Sequence, residues 1–257
     1  MKLPEIGFGT WQILMNGKAK KVVTEALLNG YRLIDTAMIY GNEKGVGAAV
    51  RDSGTPRDQI YLTTKLWNFD QGYEKALAAF NTSLKRLDVT YVDLYLIHWP
   101  QNEQLTKDSW RAMEEIHGLG LAKNIGVSNF DVDQLKNLLS YAKVKPAVNQ
   151  IEFHPFIYKD KLPILTYCNQ HGIAVEAYSP LARGKAVTDP LITKLAKETG
   201  RTNGQIMIRW AMQHGTVPLP KTTHVERMQE NINVFDFELS ESQMEQLNNL
   251  SSGKSYL

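Results

Sequence analysis

The feature that most constrains the fold is a repeated unit, in which an amphipathic helix, a glycine and a short apolar run follow one another. Residues 19–27 carry alanine, valine and leucine at helical spacing, and Gly30 and the run YRLIDTA come next. The same order recurs around Gly120, Gly172 and Gly215. A glycine just past a helix end supplies the left-handed residue that turns the chain back. The unit therefore predicts helices that alternate with strands.

The apolar runs predict parallel strands buried on both faces, because they are too short for helices and too uniformly apolar for half-exposed strands. In order they are IGFGT, YRLIDTA, IYLTTKL, VDLYLIHW, AKNIGVSN, PAVNQIEF, IAVEAYSP and TVPLPK. Eight strands with intervening helices and no linker favour a closed (β/α)8 barrel forming one domain over residues 1–257. An open, doubly wound sheet is the alternative. IGFGT is the weakest of the eight strands because it is short and glycine-rich.

Composition narrows the classes of protein that this chain can represent. Its 257 residues, 43% hydrophobic and 22% charged, are typical of a globular protein, and a net charge of +2 predicts no nucleic-acid partner. No apolar run could span a bilayer and MKLPEIGFG lacks a signal-peptide layout, so we expect a cytoplasmic protein without a membrane partner. The single Cys168 rules out an internal disulfide and predicts a small core residue.

Polar side chains gather where the predicted strands end. In (β/α)8 barrels the chemistry takes place where strands run into the following loops. Seven successive strands place polar residues there: Asp35 and Tyr40, Lys65, His98, Ser128 and Asn129, Gln150, Tyr178, and Lys221. Exposure of a strand end to water would explain any one of these polar residues, but it does not explain polar residues at the ends of seven successive strands. The carboxyl-terminal mouth of the barrel is therefore the predicted site.

Asp35, Tyr40, Lys65 and His98 form a set with a definite chemistry. A free tyrosine has a pKa of about 10, which is too high for an efficient acid near neutral pH. A neighbouring lysine ammonium is expected to lower the pKa of the phenol, and an aspartate to fix the lysine. Histidine can donate an N–H to a polarised oxygen. The set predicts a proton donor for an oxygen that becomes negative, as carbonyl reduction requires when another group delivers hydride.

No side chain delivers hydride, so this interpretation implies a nicotinamide cofactor. GVGAAV, residues 45–50, lacks the third glycine of the dinucleotide fingerprint and follows a turn, so it predicts a helix whose small residues permit close packing. PKTTHVERMQEN, residues 220–231, brings Lys221, Thr222 and Arg227 to the start of a helix, which suits a phosphate. A solvated helix face with ordinary charges explains that segment equally well.

Seven segments resemble the aldo-keto reductase family, in the same order: GYRLIDTAMIYGNE, LTTKLW, LYLIHWP, IGVSNF, NQIEFHP, YSPLARG and PLPKTTHVERMQEN. The resemblance extends from Gly7 to about Leu250. It implies transfer of hydride from NADP(H) to an aldehyde or ketone without a metal. It also implies that Tyr40 is the general acid, that Asp35 and Lys65 tune it, and that His98 orients the carbonyl.

The same resemblance assigns residues to the cofactor and to the substrate. From the nicotinamide to the adenine they are Ser128, Asn129 and Gln150 at the carboxamide, Tyr178 on the ring, Ser179 and Leu181 along the pyrophosphate, Lys221, Thr222 and Arg227 at the 2′-phosphate, and Glu230 and Asn231 at the adenine. The remaining expected cofactor contacts are Gly9, Thr10 and Trp11. The substrate pocket is expected to be lined by Trp11, Trp67, His98 and Trp99. Contacts to the 2′-phosphate imply NADPH over NADH.

The chain departs from the family pattern in three places. MKLPEIGFGT lacks the longer lead-in that forms a hairpin under the barrel, so we expect this hairpin to be reduced or absent. LARGKAVTDP is short where some relatives carry a long loop over the cofactor, and SSGKSYL ends without a long tail. The pocket is therefore expected to be open and shallow, walled by Trp11, QNEQLTKD and the last residues. Short loops resemble bacterial diketogluconate and glyoxal reductases and predict small aldehydes, α-dicarbonyls or keto-sugars as substrates.

Two other functions compete with this interpretation. An NADPH-binding redox sensor on the same scaffold would turn over slowly, but the chain shows no docking extension and has all four catalytic positions filled. An aldolase or isomerase would use Lys65 as a Schiff-base nucleophile, although Asp35 should keep that lysine protonated. No obligate protein partner is implied, and relatives of this kind are often monomers. His117 and His154 are expected to be structural.

Overall fold

The computed structural model describes residues 2–185 and 187–256. Within these residues eight strands form one parallel sheet: β1 Phe8–Gly9, β2 Leu33–Asp35, β3 Tyr61–Leu66, β4 Val92–Ile97, β5 Ala122–Ser128, β6 Val148–Glu152, β7 Ala174–Tyr178 and β8 Thr216–Leu219. Neighbours in the sheet are neighbours in sequence. Gly7 N donates to Pro218 O at 2.9 Å and Gly9 N donates to Pro220 O at 3.0 Å, which joins the first strand to the last. The predicted barrel is confirmed, and the doubly wound alternative is excluded.

Ten α-helices lie between and after the strands in the described part of the chain. They are α1 Asn16–Leu28, α2 Glu43–Asp52, α3 Tyr73–Leu87, α4 Glu103–Gly118, α5 Val132–Tyr141, α6 Tyr158–Gln170, α7 Pro190–Thr199, α8 Asn203–Gln213, α9 Val225–Ile232 and α10 Glu241–Asn248. Every residue of β3 and β4 is buried, because the helices cover the outside of the sheet and side chains fill its inside. No described helix is both long and apolar enough to cross a membrane.

Gly30 and Gly172 show why the repeated unit contains a glycine. Their φ angles are +95° and +61°, in the left-handed region that side chains other than glycine rarely adopt. Each follows a helix end and precedes the next strand. The predicted helix–glycine–strand order is therefore confirmed at these turns.

The glycine pair in α2 serves helix packing, as the sequence predicted. A Cβ at Gly45 would lie 2.1 Å from Asn16 O, and one at Gly47 would lie 1.8 Å from Leu87 O. Helix α2 therefore approaches α1 and the end of α3 more closely than any larger residue would permit. This segment is a packing surface on the outside of the barrel.

The amino-terminal end of the barrel is filled by apolar side chains. Residues 2–7 contain no strand, so the described lead-in forms no hairpin. Leu3 instead packs against a cluster inside the barrel that includes Leu33, Tyr61, Leu94 and Leu219. This small cluster covers part of the floor that the sequence left open.

Several residues away from the mouth of the barrel have structural roles. Trp110 in α4 and Cys168 in α6 are buried in the core, and burial raises the pKa of the Cys168 thiol to about 11. His154 has a partner that the sequence did not suggest, since its Nε2 lies 3.1 Å from Glu152 Oε1. Asp93 binds Arg57 at 2.8 Å near the amino-terminal end of the barrel, away from the mouth.

Candidate active site

A cavity of about 990 Å³ opens at the carboxyl-terminal mouth of the barrel. The predicted site residues that line it are Gly9, Trp11, Asp35, Tyr40, Trp67, His98, Trp99, Ser128, Asn129, Gln150, Tyr178, Ser179, Leu181, Lys221, Thr222, Arg227, Glu230 and Asn231. We call Asp35, Tyr40, Lys65 and His98 the acid end. We call Lys221, Thr222, Arg227, Glu230 and Asn231 the phosphate end. One continuous cavity thus joins residues from the ends of all eight strands and from α9.

Two predicted site residues lie behind the wall of this cavity. The Thr10 hydroxyl donates to Asp35 O at 2.9 Å and is buried, so its side chain ties β2 to the preceding loop. Lys65 is only 1% exposed and reaches the site through its partners. The expected cofactor contact of the Thr10 side chain is therefore absent from the cavity lining.

Lys65 and Asp35 form a closely paired, buried ion pair. Lys65 Nζ donates to Asp35 Oδ1 at 2.7 Å, to Asp35 Oδ2 at 2.5 Å and to Thr36 O at 3.0 Å. All three ammonium hydrogens therefore have acceptors. An amine whose three hydrogens all bind protein oxygens has no lone pair aimed at a substrate, which argues against the aldolase alternative.

Tyr40 lies close to Lys65 and His98, the two members of the acid end that could act with it in proton transfer. Lys65 Nζ is 5.3 Å from the centroid of the Tyr40 ring, and the His98 ring centroid is 5.7 Å from it. Burial, and secondly the Asp35 carboxylate, raise the pKa of the Tyr40 phenol well above its ordinary value. The expected lowering of the Tyr40 pKa by Lys65 is wrong for this arrangement, because burial of the phenol raises the pKa most and the Asp35 carboxylate raises it further. The phenol consequently keeps its proton at neutral pH.

His98 is the neutral partner of Tyr40. Burial, and secondly the Lys65 ammonium, lower the pKa of His98 to about 3. Its ring packs edge-on against Trp67 with centroids 5.1 Å apart. His98 Nδ1 is buried and has no hydrogen-bond partner among residues 2–185 and 187–256. A neutral imidazole keeps one N–H to donate, which suits an oxygen acceptor in the cavity.

A chain of hydrogen bonds connects the polar groups beside the acid end. Tyr178 OH donates to Asn129 Oδ1 at 2.8 Å, and Asn129 Nδ2 donates to His98 O at 3.0 Å. Ser128 Oγ donates to Gln150 O at 2.8 Å. Asn129 has a φ of +65°, which is uncommon for a residue other than glycine. The network holds this strained residue at the end of β5 and faces the Tyr178 ring into the cavity.

Glu176 belongs to the same network, and the sequence analysis missed it. Gln150 Nε2 donates to Glu176 Oε2 at 2.7 Å and to Asp35 Oδ2 at 2.9 Å. Glu176 lies mid-strand in β7 and is fully buried. A glutamate in the middle of a predicted buried strand was the available signal, because an unpaired charge is rarely buried.

The phosphate end carries cations that have no anionic partner in the described part of the chain. Lys221 and Arg227 are exposed and form no ion pair there. Partial burial, and secondly the nearby Lys18 ammonium, lower the pKa of Lys221. Thr222 and Asn231 are buried beside them. Two unpaired cations beside the start of α9 form a favourable site for a phosphate.

The substrate end of the cavity differs from the sequence prediction. Trp11, which is 36% exposed, Trp67 and Trp99 line it as expected, but residues 101–108 and 250–256 do not. Glu103 begins helix α4, and Tyr256 N donates to Glu152 Oε1 at 2.8 Å, so both expected wall segments pack elsewhere. The lining residues that the sequence analysis missed are Gln12, Leu14, Ile39, Pro180, Arg183, Gly184, Val187, Thr188, Thr202, Asn203, Gly204, Leu219 and Pro220.

Comparison with known proteins decides the family. The model of the aldo/keto reductase family matches residues 5–252. This chain belongs to the aldo/keto reductase family. It is 44% identical over 251 residues to the glyoxal reductase of Bacillus subtilis, with 98% of this chain and 90% of that protein covered. Aldo/keto reductases are oxidoreductases, and the relatives of this chain include enzymes that reduce carbonyl groups.

Solved structures of aldo/keto reductases superpose on the whole barrel. One from a Medee basin deep-sea metagenome library has a TM-score of 0.95 and 44% identity, and 99% of this chain and 94% of that chain are covered. An aldo/keto reductase of Bombyx mori in complex with NADP has a TM-score of 0.92 and 33% identity, with 99% and 91% covered. The fold is therefore that of the family.

Proposed function

We propose that this protein is an NADPH-dependent carbonyl reductase in which Tyr40 is the general acid. The observation that supports this most strongly is that Asp35, Tyr40 and His98 of the acid end line the same cavity as the phosphate end. Tyr178 lines the same cavity, as expected for a residue that stacks on a nicotinamide. A proton donor at one end and unpaired cations at the other suit a phosphorylated redox cofactor and a small carbonyl.

The residues of the cavity fit NADP(H) at both of its ends. At one end His98 Nδ1 is a buried polar atom without a partner in the described ranges, and at the other Lys221 and Arg227 lack an anion. In the proposal Ser128, Asn129 and Gln150 hold the carboxamide, and Ser179 and Leu181 line the pyrophosphate. Thr222 joins the two cations at the 2′-phosphate, and Glu230 and Asn231 meet the adenine. When bound, NADPH supplies the hydride.

The acid end supplies the proton and stabilises the charge that develops. Tyr40 holds its proton at neutral pH and gives it to the carbonyl oxygen. Neutral His98 donates an N–H to the same oxygen and orients it. Lys65, 5.3 Å from the Tyr40 ring, stabilises the phenolate that remains, and Asp35 fixes Lys65 in place. These groups are held before substrate arrives, so little reorganisation accompanies the reaction.

The proposed substrates are small aldehydes, α-dicarbonyls such as methylglyoxal, or keto-sugars. The 44% identity to a glyoxal reductase supports this class. The aromatic rings of Trp11, Trp67 and Trp99 line the pocket beside the acid end, and the Arg183 guanidinium lies 4.2 Å from the centroid of the Trp11 ring. Such a site orients one carbonyl and makes few specific contacts with the rest of the molecule.

A substrate screen tests the proposal. We expect rapid oxidation of NADPH, and slower oxidation of NADH, with methylglyoxal, glyoxal and small aldehydes. A preference for bulky steroid ketones would contradict the substrate class. Tight NADPH binding with negligible reduction of every carbonyl would instead favour the alternative of a redox sensor with slow turnover on the same scaffold.

A further inference from the structure

Glu176 is a buried carboxyl group to which the proposed mechanism gives no role. It is 0% exposed in the middle of β7, and its Oε2 accepts from Gln150 Nε2 at 2.7 Å. Its Oε1 is buried without a hydrogen-bond partner among the residues that the structure describes. Burying a carboxyl group is costly, so its one strong contact indicates what the group does there.

The contact with Glu176 fixes how Gln150 meets the cavity. An amide nitrogen carries two hydrogens, and Gln150 Nε2 uses one for Asp35 Oδ2 at 2.9 Å and the other for Glu176. Gln150 Oε1 accepts no hydrogen bond from any other described residue, and Gln150 lines the cavity. The amide therefore has an acceptor left for a ligand and no donor.

The charged groups around Glu176 do not disturb this arrangement. Burial, and secondly Asp35, raise the pKa of Glu176 to about 7, while the hydrogen bond from Gln150 and the Lys65 ammonium oppose the rise. Tyr61 also lies close enough for its pKa to be raised by Glu176. A carboxyl group retains an acceptor oxygen whether it is protonated or ionised, so Glu176 can hold the Gln150 N–H in either state.

We propose that Glu176 is a positioning residue that takes the second N–H of Gln150, so that the nicotinamide end of the cavity accepts only a ligand that donates an N–H there. The inference rests on the proposed NADPH-dependent function and adds a selectivity to it. The carboxamide of a nicotinamide offers such an N–H. An acetyl group at the same ring position presents an oxygen and a methyl group, and neither of them can donate a hydrogen bond to Gln150 Oε1.

The experiment compares two nucleotides that differ in this group alone. Binding of NADP⁺ and of its 3-acetylpyridine analogue is measured by quenching of tryptophan fluorescence, without turnover. We expect wild type to bind NADP⁺ at least about tenfold more tightly than the analogue, the cost of one unpaired acceptor. Glu176→Met removes one of the two acceptors that hold the Gln150 amide, so the amide can turn an N–H toward the acetyl oxygen and the ratio should fall to about threefold or less. Glu176→Gln keeps an acceptor and should retain the wild-type ratio.

Asp93→Asn is the matched control, because Asp93 is a buried carboxylate near the other end of the barrel. Its ratio should equal that of wild type. If Glu176→Met does not fold, Glu176→Thr also removes the acceptor, since its side chain is too short to reach Gln150. If folded Glu176→Met or Glu176→Thr keeps the wild-type preference for NADP⁺ over the analogue, the inference is overturned and the proposed function stands. The same holds if Glu176→Gln loses that preference. Failure of wild type to bind either nucleotide overturns both.

Discussion

The acid end and the phosphate end of the cavity are built in opposite ways. At the acid end, Lys65 is 1% exposed and all three of its hydrogens bind protein oxygens. At the phosphate end, Lys221 and Arg227 are exposed and have no ion-pair partner in the described part of the chain. The hydrogen bonds of Lys65 are complete within the protein, whereas the two cations at the phosphate end keep their charges available for an anionic ligand. Changes at the acid end should therefore alter chemistry and stability, and changes at the phosphate end should alter binding alone.

The largest expected effect belongs to Tyr40→Phe, which removes the proton donor and keeps the ring. The single-turnover rate of carbonyl reduction should fall by about a thousandfold, within the range for loss of a general acid. Binding of NADPH, measured by fluorescence quenching, should change by less than about twofold, because the phenol makes no hydrogen bond with other described residues. Retention of a tenth or more of the wild-type rate would remove Tyr40 from its proposed role.

Lys65→Met tests the stability side of the comparison. It leaves Asp35 buried without its counter-ion, so the free energy of unfolding should fall by about 3 kcal/mol. Denaturant titration gives the value. Lys221→Met is the matched control at the phosphate end and should cost less than about 0.5 kcal/mol, because Lys221 is exposed and unpaired. Equal losses in the two variants would show that the ends do not differ as described.

Arg227→Ala tests the binding side. Loss of a charge-assisted hydrogen bond to the 2′-phosphate should weaken the binding of NADPH by about tenfold to a hundredfold. NADH lacks that phosphate, so its dissociation constant should change little, and the stability of the protein should not change. Fluorescence titrations with both cofactors measure the ratio. A similar loss for NADH and NADPH would contradict the assignment of the phosphate end.

The smallest expected effect is the dependence of stability on His98 and pH. The folded pKa of His98, about 3, lies below the ordinary value of about 6.5. Below pH 6.5 the unfolded chain takes up a proton that the native protein refuses, so the free energy of unfolding falls by up to about 1.4 kcal/mol per pH unit. The contribution is fully present above pH 6.5 and is lost on acidification toward pH 3.

Glu176, whose pKa is raised to about 7, changes stability in the opposite sense over much of this range, so His98 must be isolated by difference. Denaturant unfolding of wild type and His98→Asn at pH 7, 6 and 5 gives the difference between their free energies of unfolding at each pH. From pH 6 to pH 5 the free energy of unfolding of wild type should fall by about 1 kcal/mol more than that of the variant. Parallel losses in the two proteins would mean that His98 is not buried as a neutral base.

The fold was predictable because the chain separates its strands and helices clearly. Each of the eight apolar runs contains an observed strand, and the weakest, IGFGT, contains the shortest, Phe8–Gly9. The polar residues that end those strands were predictable for the same reason, since parallel strands bring their carboxyl ends to one mouth. Thr10 was assigned to the cofactor, but its position next to a strand end did not show that its hydroxyl turns toward Asp35 O.

The rest of the site depends on geometry that sequence does not encode locally. Leu14 and Ile39 reach the cavity from segments between the strands and the α-helices. Gln12 and Arg183 have positive φ angles, which a residue other than glycine does not lead one to expect. The sign of the Tyr40 pKa shift depends first on the burial of the phenol and secondly on the nearby Asp35 carboxylate, and no local motif encodes either of them. Glu176 was missed although a glutamate among the apolar residues of a buried strand is itself a signal, but its contact with Gln150 depends on how β6 and β7 pair.

The most direct test of the central claim is a crystal structure of the protein with NADP bound. The account predicts that the nicotinamide ring stacks on Tyr178 beside Tyr40 and His98, and that the 2′-phosphate lies within hydrogen-bonding distance of Lys221 or Arg227. A nicotinamide remote from the Tyr40 hydroxyl, or a 2′-phosphate that touches neither cation, would contradict it.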